Sequence, residues 1–193
     1  MKNISKRSAA LLLAALICLG LGACGTGDGD LLVDGALIPS PPSTVSVKTG
    51  TMATDSWGYT GATPIQVAAP SQAEILISGR TLLVDDSLGV VSGEIPTKIS
   101  FSSDINTLSR AAQAYIPANF VSYLDLSLGS ARTAFPEVAV TVDVGVAASG
   151  ETLTLQNYDV ATGKWISVQT AKVGSAGKIT FLAKQLSLWG IFR

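Results

Sequence analysis

Histidine is absent from this chain of 193 residues, and its absence narrows the chemistry that the protein can perform. Histidine is the side chain that most often moves protons near neutral pH, and it is the commonest metal ligand. Without it, the chain cannot form a Ser-His-Asp or a Cys-His nucleophilic site. Carboxylates, lysines, tyrosines and serines remain, and we expect a non-enzymatic protein with no cofactor and no metal.

The one adjacent acidic pair, Asp85-Asp86, is the strongest remaining candidate for acid chemistry. Paired carboxylates occur in glycosidases and in calcium sites. Neighbouring residues on a strand point to opposite faces, however, and the Ser-Leu-Gly that follows is typical of a turn. We therefore interpret the pair as a solvated turn.

Cysteine is nearly absent, with only Cys18 and Cys24 in the chain. Cys18 lies in an unbroken small and apolar run, Ala9 to Gly20, which follows a basic N-terminal segment. The run is too short for a spanning helix, which needs about 20 residues. This arrangement is typical of a signal peptide, so we expect residues 1–23 to be removed and Cys24 to be the only cysteine of the mature chain.

Leu21-Gly22-Ala23-Cys24, which ends the apolar segment, resembles the bacterial lipobox. The resemblance implies cleavage before Cys24 and its modification with diacylglycerol and a further acyl chain such as palmitate. The alternative is an ordinary secretory signal with an incidental cysteine. Each buried methylene contributes about 0.8 kcal/mol, so two or three acyl chains anchor a protein stably. Gly25 follows the cysteine, and by resemblance to enteric lipoproteins this favours the outer membrane in an organism with two membranes.

Charge is also scarce, and its balance is slightly acidic. Removal of the signal peptide takes away three basic residues, Lys2, Lys6 and Arg7, and no acidic one. The mature chain therefore keeps ten of the thirteen Lys and Arg and all fourteen Asp and Glu, which gives a formal charge near −4. This balance predicts no basic surface for nucleic acid. No second apolar run is long enough to span a membrane. We expect a protein of the bacterial cell envelope, on the periplasmic face or the cell surface, attached to the membrane through the lipid on Cys24.

Residues 24–63 have the composition of a flexible tether. Glycine and aspartate dominate Gly25 to Asp30, whereas Pro39 to Ser43 is locally stiff and extended. Four apolar residues interrupt this pattern, and they are expected either to dock on the following domain or to form an early strand: Leu31, Leu32, Val33 and Leu37.

Residues 64–193 carry the period-two alternation of β-strands. In the clearest case, Val138 to Val146, five valines share one face while Ala, Thr, Asp and Gly occupy the other. Gly-containing turns separate such runs, for example Asp159 to Lys164 and Gly174 to Gly177. Only Asn106 to Ala114 has helical character, expected as one or two turns in a crossover. The pattern predicts an all-β fold, an antiparallel β-sandwich.

The C-terminal third contains a spaced series of residues: Tyr158-Asp159, Thr162-Gly163, Trp165, Gly177 to Phe181, Leu186-Ser187 and Trp189. The series resembles the last strands of a β-sandwich module of exported bacterial proteins, which is similar to the ZU-type domain of ankyrins and netrin receptors and to the GAIN fold of adhesion receptors. The likeness covers residues 70–193, and its most specific part is the D-x-x-T-G-x-W turn. There Asp159 can accept backbone hydrogen bonds, Gly163 can adopt a positive φ, and Trp165 can cover one end of the core.

Some GAIN-like relatives cleave themselves at a His-Leu-Ser or His-Phe-Ser step, where the serine hydroxyl attacks the preceding carbonyl and the histidine takes its proton. Gln185 stands at the position of that histidine, and an amide has no useful basicity near neutral pH. We therefore interpret Ser187 as an ordinary strand serine, with autoproteolysis as the less favoured alternative. Leu186, Leu188 and Phe192 alternate, as expected of the core face of a closing strand.

Trp57 and Tyr59 are the candidate ligand-facing aromatics, in a Gly- and Thr-rich segment just before the predicted domain. Exposed aromatics can stack on sugar rings or form hot spots in protein interfaces. The preferred interpretation is that they pin the tether to the sandwich. The sequence thus predicts a lipid-anchored structural, adhesive or assembly module with a protein or glycan partner in the envelope, and a carbohydrate-binding module is the alternative.

The lipid anchor predicts the behaviour of Cys24→Ser. Serine cannot accept the thioether-linked diacylglycerol, so this variant should lose acyl-chain labelling and leave the membrane fraction. Metabolic labelling with a fatty-acid analogue, followed by fractionation, measures both effects. Cys18→Ser is the matched control and should behave as the wild type; continued labelling of Cys24→Ser would refute the anchor.

Overall fold

A computed structural model describes residues 31–33, 36–38 and 44–193 of the chain. The chain divides after Pro42 into two units. In the first unit, strand β1 (Leu31–Val33) pairs antiparallel with β2 (Ala36–Ile38), so the apolar residues that interrupt the predicted tether form a short strand pair. Cys24 and the predicted signal peptide lie outside the described residues. Among the described helices, none is long and apolar enough to cross a membrane.

The second unit consists mainly of strands. In chain order they are β3 (Ser46–Thr54), β4 (Ile65–Val67), β5 (Ala73–Ile77), β6 (Leu82–Val84), β7 (Gly93–Ser102), β8 (Phe120–Leu128), β9 (Thr133–Asp143), β10 (Thr152–Asp159), β11 (Lys164–Lys172), β12 (Lys178–Gln185) and β13 (Leu188–Phe192). The crossover between β7 and β8 contains a 3-10 turn, Ile105–Thr107, and helix α1, Arg110–Gln113. The predicted helical crossover is therefore confirmed.

These strands form two antiparallel sheets that enclose one main core. The six-stranded sheet has the order β11-β10-β13-β8-β7-β3, and the five-stranded sheet has the order β12-β9-β5-β4, with β6 paired to the beginning of β9. Apolar side chains from the inner faces of both sheets meet between them. The predicted all-β antiparallel sandwich is confirmed.

The valine alternation on β9 is confirmed over most of its length. Val138, Val140 and Val142 have no exposed surface and pack in the main core. Val144 is only partly buried, and Val146 is exposed because the strand ends at Asp143 and the chain turns into a 3-10 helix. The prediction of five inward valines is therefore wrong for the last one.

The sandwich begins earlier than the predicted boundary at residue 64. β3 pairs with β7 in a continuous register, from Ser46 opposite Phe101 to Thr54 opposite Gly93. Met52 on β3 is buried in the main core. The last part of the predicted tether is therefore a strand. β3 is an edge strand with one face in water, so its polar Thr and Lys side chains are accommodated there.

The outer face of the six-stranded sheet carries a second, smaller core beneath the crossover. Leu108 and Ala112 of the crossover pack on Tyr158, with Trp165 and Phe192 beside them. The Trp165 indole N–H donates to the Ala112 carbonyl at 2.9 Å, which ties the crossover to β11. The prediction that Trp165 covers one end of the sandwich core is therefore wrong about the core, because its ring packs in the smaller, outer one.

Strand β13 is consequently buried on both faces. Trp189 and Ile191 point into the main core, whereas Leu188 packs in the smaller core and Phe192 contacts Phe120 there. The expectation that Leu188 and Phe192 share the face of the main core is therefore wrong. Leu186, which lies before β13 begins, packs in the main core, so the three residues do not share one face. Both faces of β13 are apolar because the crossover covers the outer one.

Gly190 leaves the space in which the outer aromatic rings lie. A methyl group added there would stand 2.5 Å from the Phe192 ring and 2.7 Å from the Trp165 ring. We expect Gly190→Ala to lower the free energy of unfolding by about 1–3 kcal/mol, the usual cost of overpacking a core. Urea denaturation measures the change. Gly61→Ala, where no atom lies within 4 Å of the added carbon, is the control; an equal loss in both variants would contradict this account.

Candidate functional site

A tight turn holds Trp57 and Tyr59 in place. The Asp55 carboxylate oxygen Oδ1 accepts hydrogen bonds from the backbone N–H groups of Trp57 and Tyr59, both at 2.9 Å. Gly58 has φ of 78°, a conformation that glycine adopts without strain, and its N–H donates to the Asp55 carbonyl at 3.0 Å. An aspartate that bonds the backbone two residues on is a common device for closing a turn.

This turn carries the chain from one sheet to the other. Thr54, at the end of β3, is bridged to Thr60, and Tyr59 is bridged to Leu82 on β6. The Leu83 N–H donates to the Gly58 carbonyl at 3.0 Å. Backbone hydrogen bonds, rather than the aromatic rings, therefore hold the segment against the sandwich.

The two aromatic rings themselves face water. Trp57 is 73% exposed and Tyr59 is 42% exposed. The preferred interpretation, that these side chains pin the segment by burying their rings, is therefore wrong for Trp57 and only partly right for Tyr59. Their assignment as candidate ligand-facing aromatics agrees with these exposures.

The register of the five-stranded sheet brings a third exposed aromatic residue to the same end. Tyr59 lies opposite Leu82, and Leu82 lies opposite Phe135 on β9. Residues paired directly across strands point to the same face of a sheet, so these three side chains form one row. Phe135 is 42% exposed, and the Lys184 ammonium lies 5.0 Å from the centre of its ring. We call Trp57, Tyr59 and Phe135 the aromatic surface.

Sequence reasoning missed Phe135 and Lys184. Phe135 stands in a run of mixed apolar residues before Pro136, and composition alone does not show that its ring is exposed. Its place in the alternation could have revealed it: Phe135 is an odd number of residues from the inward valines of β9, so its side chain points outward. The pairing with β6, which joins it to Tyr59, depends on residues far apart in the chain.

The hairpin that follows β6 lies against the turn that carries Trp57 and Tyr59. Val90 approaches Gly58, because a carbon added to that glycine would stand 3.0 Å from the Val90 side chain. Leu88 is 77% exposed at the hairpin tip and has φ of 63°, which is strained for a leucine. This end of the molecule therefore adds exposed aliphatic side chains to the aromatic ones.

The acidic pair lies in this hairpin, as the turn interpretation expects. The Asp85 carboxylate accepts hydrogen bonds from the Ser87 hydroxyl at 2.8 Å and from the Gly89 N–H at 2.9 Å. These bonds lower the pKa of Asp85 below its usual range, and the bond from the Ser87 hydroxyl has the largest effect. Asp86 is exposed and lies 3.6 Å from the Arg132 guanidinium. The two carboxylates therefore have separate structural partners.

The predicted D-x-x-T-G-x-W turn is confirmed. Asp159 accepts hydrogen bonds from the Thr162 hydroxyl at 2.6 Å and from the Ala161 N–H at 2.9 Å, and Gly163 has φ of 68°. The bond from Thr162 is the main reason that the pKa of Asp159 is lowered. The turn joins β10 to β11 and places Trp165 for its contact with the crossover.

Gln185 and Ser187 lie at the step between β12 and β13, where Ser187 occupies a bend and not a strand. The Ser187 hydroxyl oxygen accepts a hydrogen bond from the Asn157 amide at 2.8 Å, and the Gln185 carbonyl accepts one from the Trp189 indole at 2.9 Å. An amide nitrogen is a donor and cannot take the serine proton. Both residues thus have structural hydrogen bonds at the closure of the sandwich.

Comparisons of the chain with protein-family models, with curated proteins and with solved structures give no match. The resemblances to lipoproteins and to the ZU and GAIN modules therefore stay predictions.

Asp125 is the carboxylate with a raised pKa among the described residues. It lies on the outer face of β8, opposite Ser100 on β7 and Leu188 on β13. Burial raises the pKa of Asp125, and the positive charges of Lys98 and Arg132 oppose this effect. The ionised form of Asp125 therefore lowers the free energy of unfolding.

The shift predicts how Asp125→Asn changes stability with pH. The cost of ionisation is fully present above the folded-state pKa and vanishes below the ordinary aspartate pKa of about 3.9. We expect Asp125→Asn to raise the free energy of unfolding at pH 7 and to have little effect at pH 3, measured by urea denaturation. Glu137→Gln, at an exposed position on β9, is the control and should change stability by less than about 0.5 kcal/mol. A destabilised Asp125→Asn at pH 7 would contradict the assignment.

Proposed function

We propose that this protein is a lipid-anchored, non-enzymatic binding module of the bacterial cell envelope. Its β-sandwich is an adhesive or assembly module that holds a partner at the aromatic surface. The lipobox-like Leu21 to Cys24 supports the anchor, and the absence of histidine from the sequence supports a role in binding rather than catalysis.

The observation that carries this proposal is the exposed Trp57 ring on a firmly hydrogen-bonded turn. Burying a large aromatic side chain contributes roughly 1.5–3 kcal/mol, and this fold leaves most of that contribution unused. Because hydrogen bonds already fix the backbone of this turn, a partner that covers the ring has little backbone entropy left to remove. Trp and Tyr with these properties are characteristic of binding hot spots.

The distribution of aromatic residues adds support. The described residues include four exposed aromatics, Trp57, Tyr59, Tyr115 and Phe135. Tyr59 and Phe135 lie in one cross-strand row and Trp57 lies in the same turn as Tyr59, while Tyr115 lies on the crossover. Contiguous exposed apolar side chains are typical of interaction sites, whereas single ones are ordinary.

Site-specific photo-crosslinking in the native envelope tests this function. A photoreactive amino acid in place of Trp57 should give a discrete product of higher mass in the full-length protein, because its side chain lies against the partner. The same residue in place of Tyr115, which is 69% exposed, is the matched control and should not give that product. Failure at position 57, or an identical pattern at both positions, would contradict the proposal.

A further inference from the structure

We propose that the ligand of the aromatic surface is a linear, uncharged glycan whose sugar rings stack on Trp57, Tyr59 and Phe135. This inference rests on the proposed binding function of the same surface and names the class of its ligand. It follows from the spacing of the aromatic residues and from the state of the charges around them.

The spacing suits a polymer of sugars. Tyr59 and Phe135 stand on either side of Leu82 in one cross-strand row. Two inter-strand spacings separate them, about 10 Å. That distance is close to the length of a disaccharide unit in an extended polysaccharide, so the two rings can meet alternate sugars of one chain. A pyranose presents apolar C–H groups on its face, which complement the negative face of an aromatic ring.

The charges at this end already have partners. Asp55 accepts two backbone hydrogen bonds in the turn, Asp85 is bonded within its hairpin, and Asp86 lies 3.6 Å from the Arg132 guanidinium. The Lys184 ammonium lies over the Phe135 ring. A charged ligand would compete for these ionic contacts, whereas a hydroxyl group of a neutral sugar on Phe135 can accept a hydrogen bond from the Lys184 ammonium. This charge pattern complements an uncharged glycan.

The same charges disfavour a lipid surface as the ligand. Exposed Trp and Leu side chains also occur in proteins that dip into the headgroup region of a membrane. Three carboxylates, Asp55, Asp85 and Asp86, lie in the two turns that carry Trp57 and Leu88. Anionic lipids would repel them.

Binding of immobilised polysaccharides and of defined oligosaccharides to the full-length protein tests the inference. The wild type should bind at least one neutral linear glycan, and a hexasaccharide more tightly than the corresponding disaccharide. Trp57→Ala and Phe135→Ala should each weaken binding about tenfold, the effect of losing one well-stacked ring. The ratio of hexasaccharide to disaccharide affinity should be smaller in Phe135→Ala than in the wild type, because Tyr59 is then the one aromatic ring left in the row.

Tyr115→Ala is the matched control and should bind as the wild type, with the melting temperatures of all variants compared to establish that they fold. No binding to any neutral glycan would overturn the inference, as would equal losses in Tyr115→Ala. Trp57-dependent binding to glycan-free anionic vesicles would also overturn it. If the crosslink at position 57 forms but its added mass is removed by protease, the partner is a protein; the binding function then stands and the glycan inference fails.

Discussion

Strand β9 and its register determine most of this structure. It pairs with β12 on one side and with both β5 and β6 on the other, so it lies at the centre of the five-stranded sheet. Its inner face, Val138, Val140 and Val142, is completely buried against the other sheet. A shift by one residue would expose these valines and bury Glu137 and Thr141, so the core permits only one register.

The aromatic surface follows from that register. Because Val138 and its alternating neighbours point inward, Phe135 points outward, and the pairing of β9 with β6 places it in line with Leu82. The Asp55 turn then adds Tyr59 to the same row from the start of the domain. Leu83 and Ala134, the strand neighbours of Leu82 and Phe135, have no exposed surface, whereas the rings themselves face water. Rigid support with exposed aromatics is the arrangement that favours binding at low entropic cost.

The outer faces of the two sheets differ in whether their aromatic residues are covered. On the six-stranded sheet, the crossover covers Tyr158, Trp165 and Phe192 and converts an outer face into a second core. On the five-stranded sheet, the outer aromatic residue Phe135 has only the Lys184 ammonium over its ring. Aromatic residues on the outside of one sheet are therefore structural, while those at the end of the other are free to contact a ligand. This contrast supports the proposed binding function.

The sequence alone was sufficient to predict most of the strands, the turns and the sandwich, because the period-two alternation and the Asp and Gly positions of turns are local properties. It identified the Asp159 turn and the helical crossover correctly, and it singled out Trp57 and Tyr59. It did not predict β3, whose polar composition resembles a coil until β7 supplies its backbone partners. Nor did it predict that β13 is buried on both faces or that Phe135 joins Tyr59. Those features depend on which distant segments lie side by side, and only the packing of the two sheets and the resulting strand register decide that.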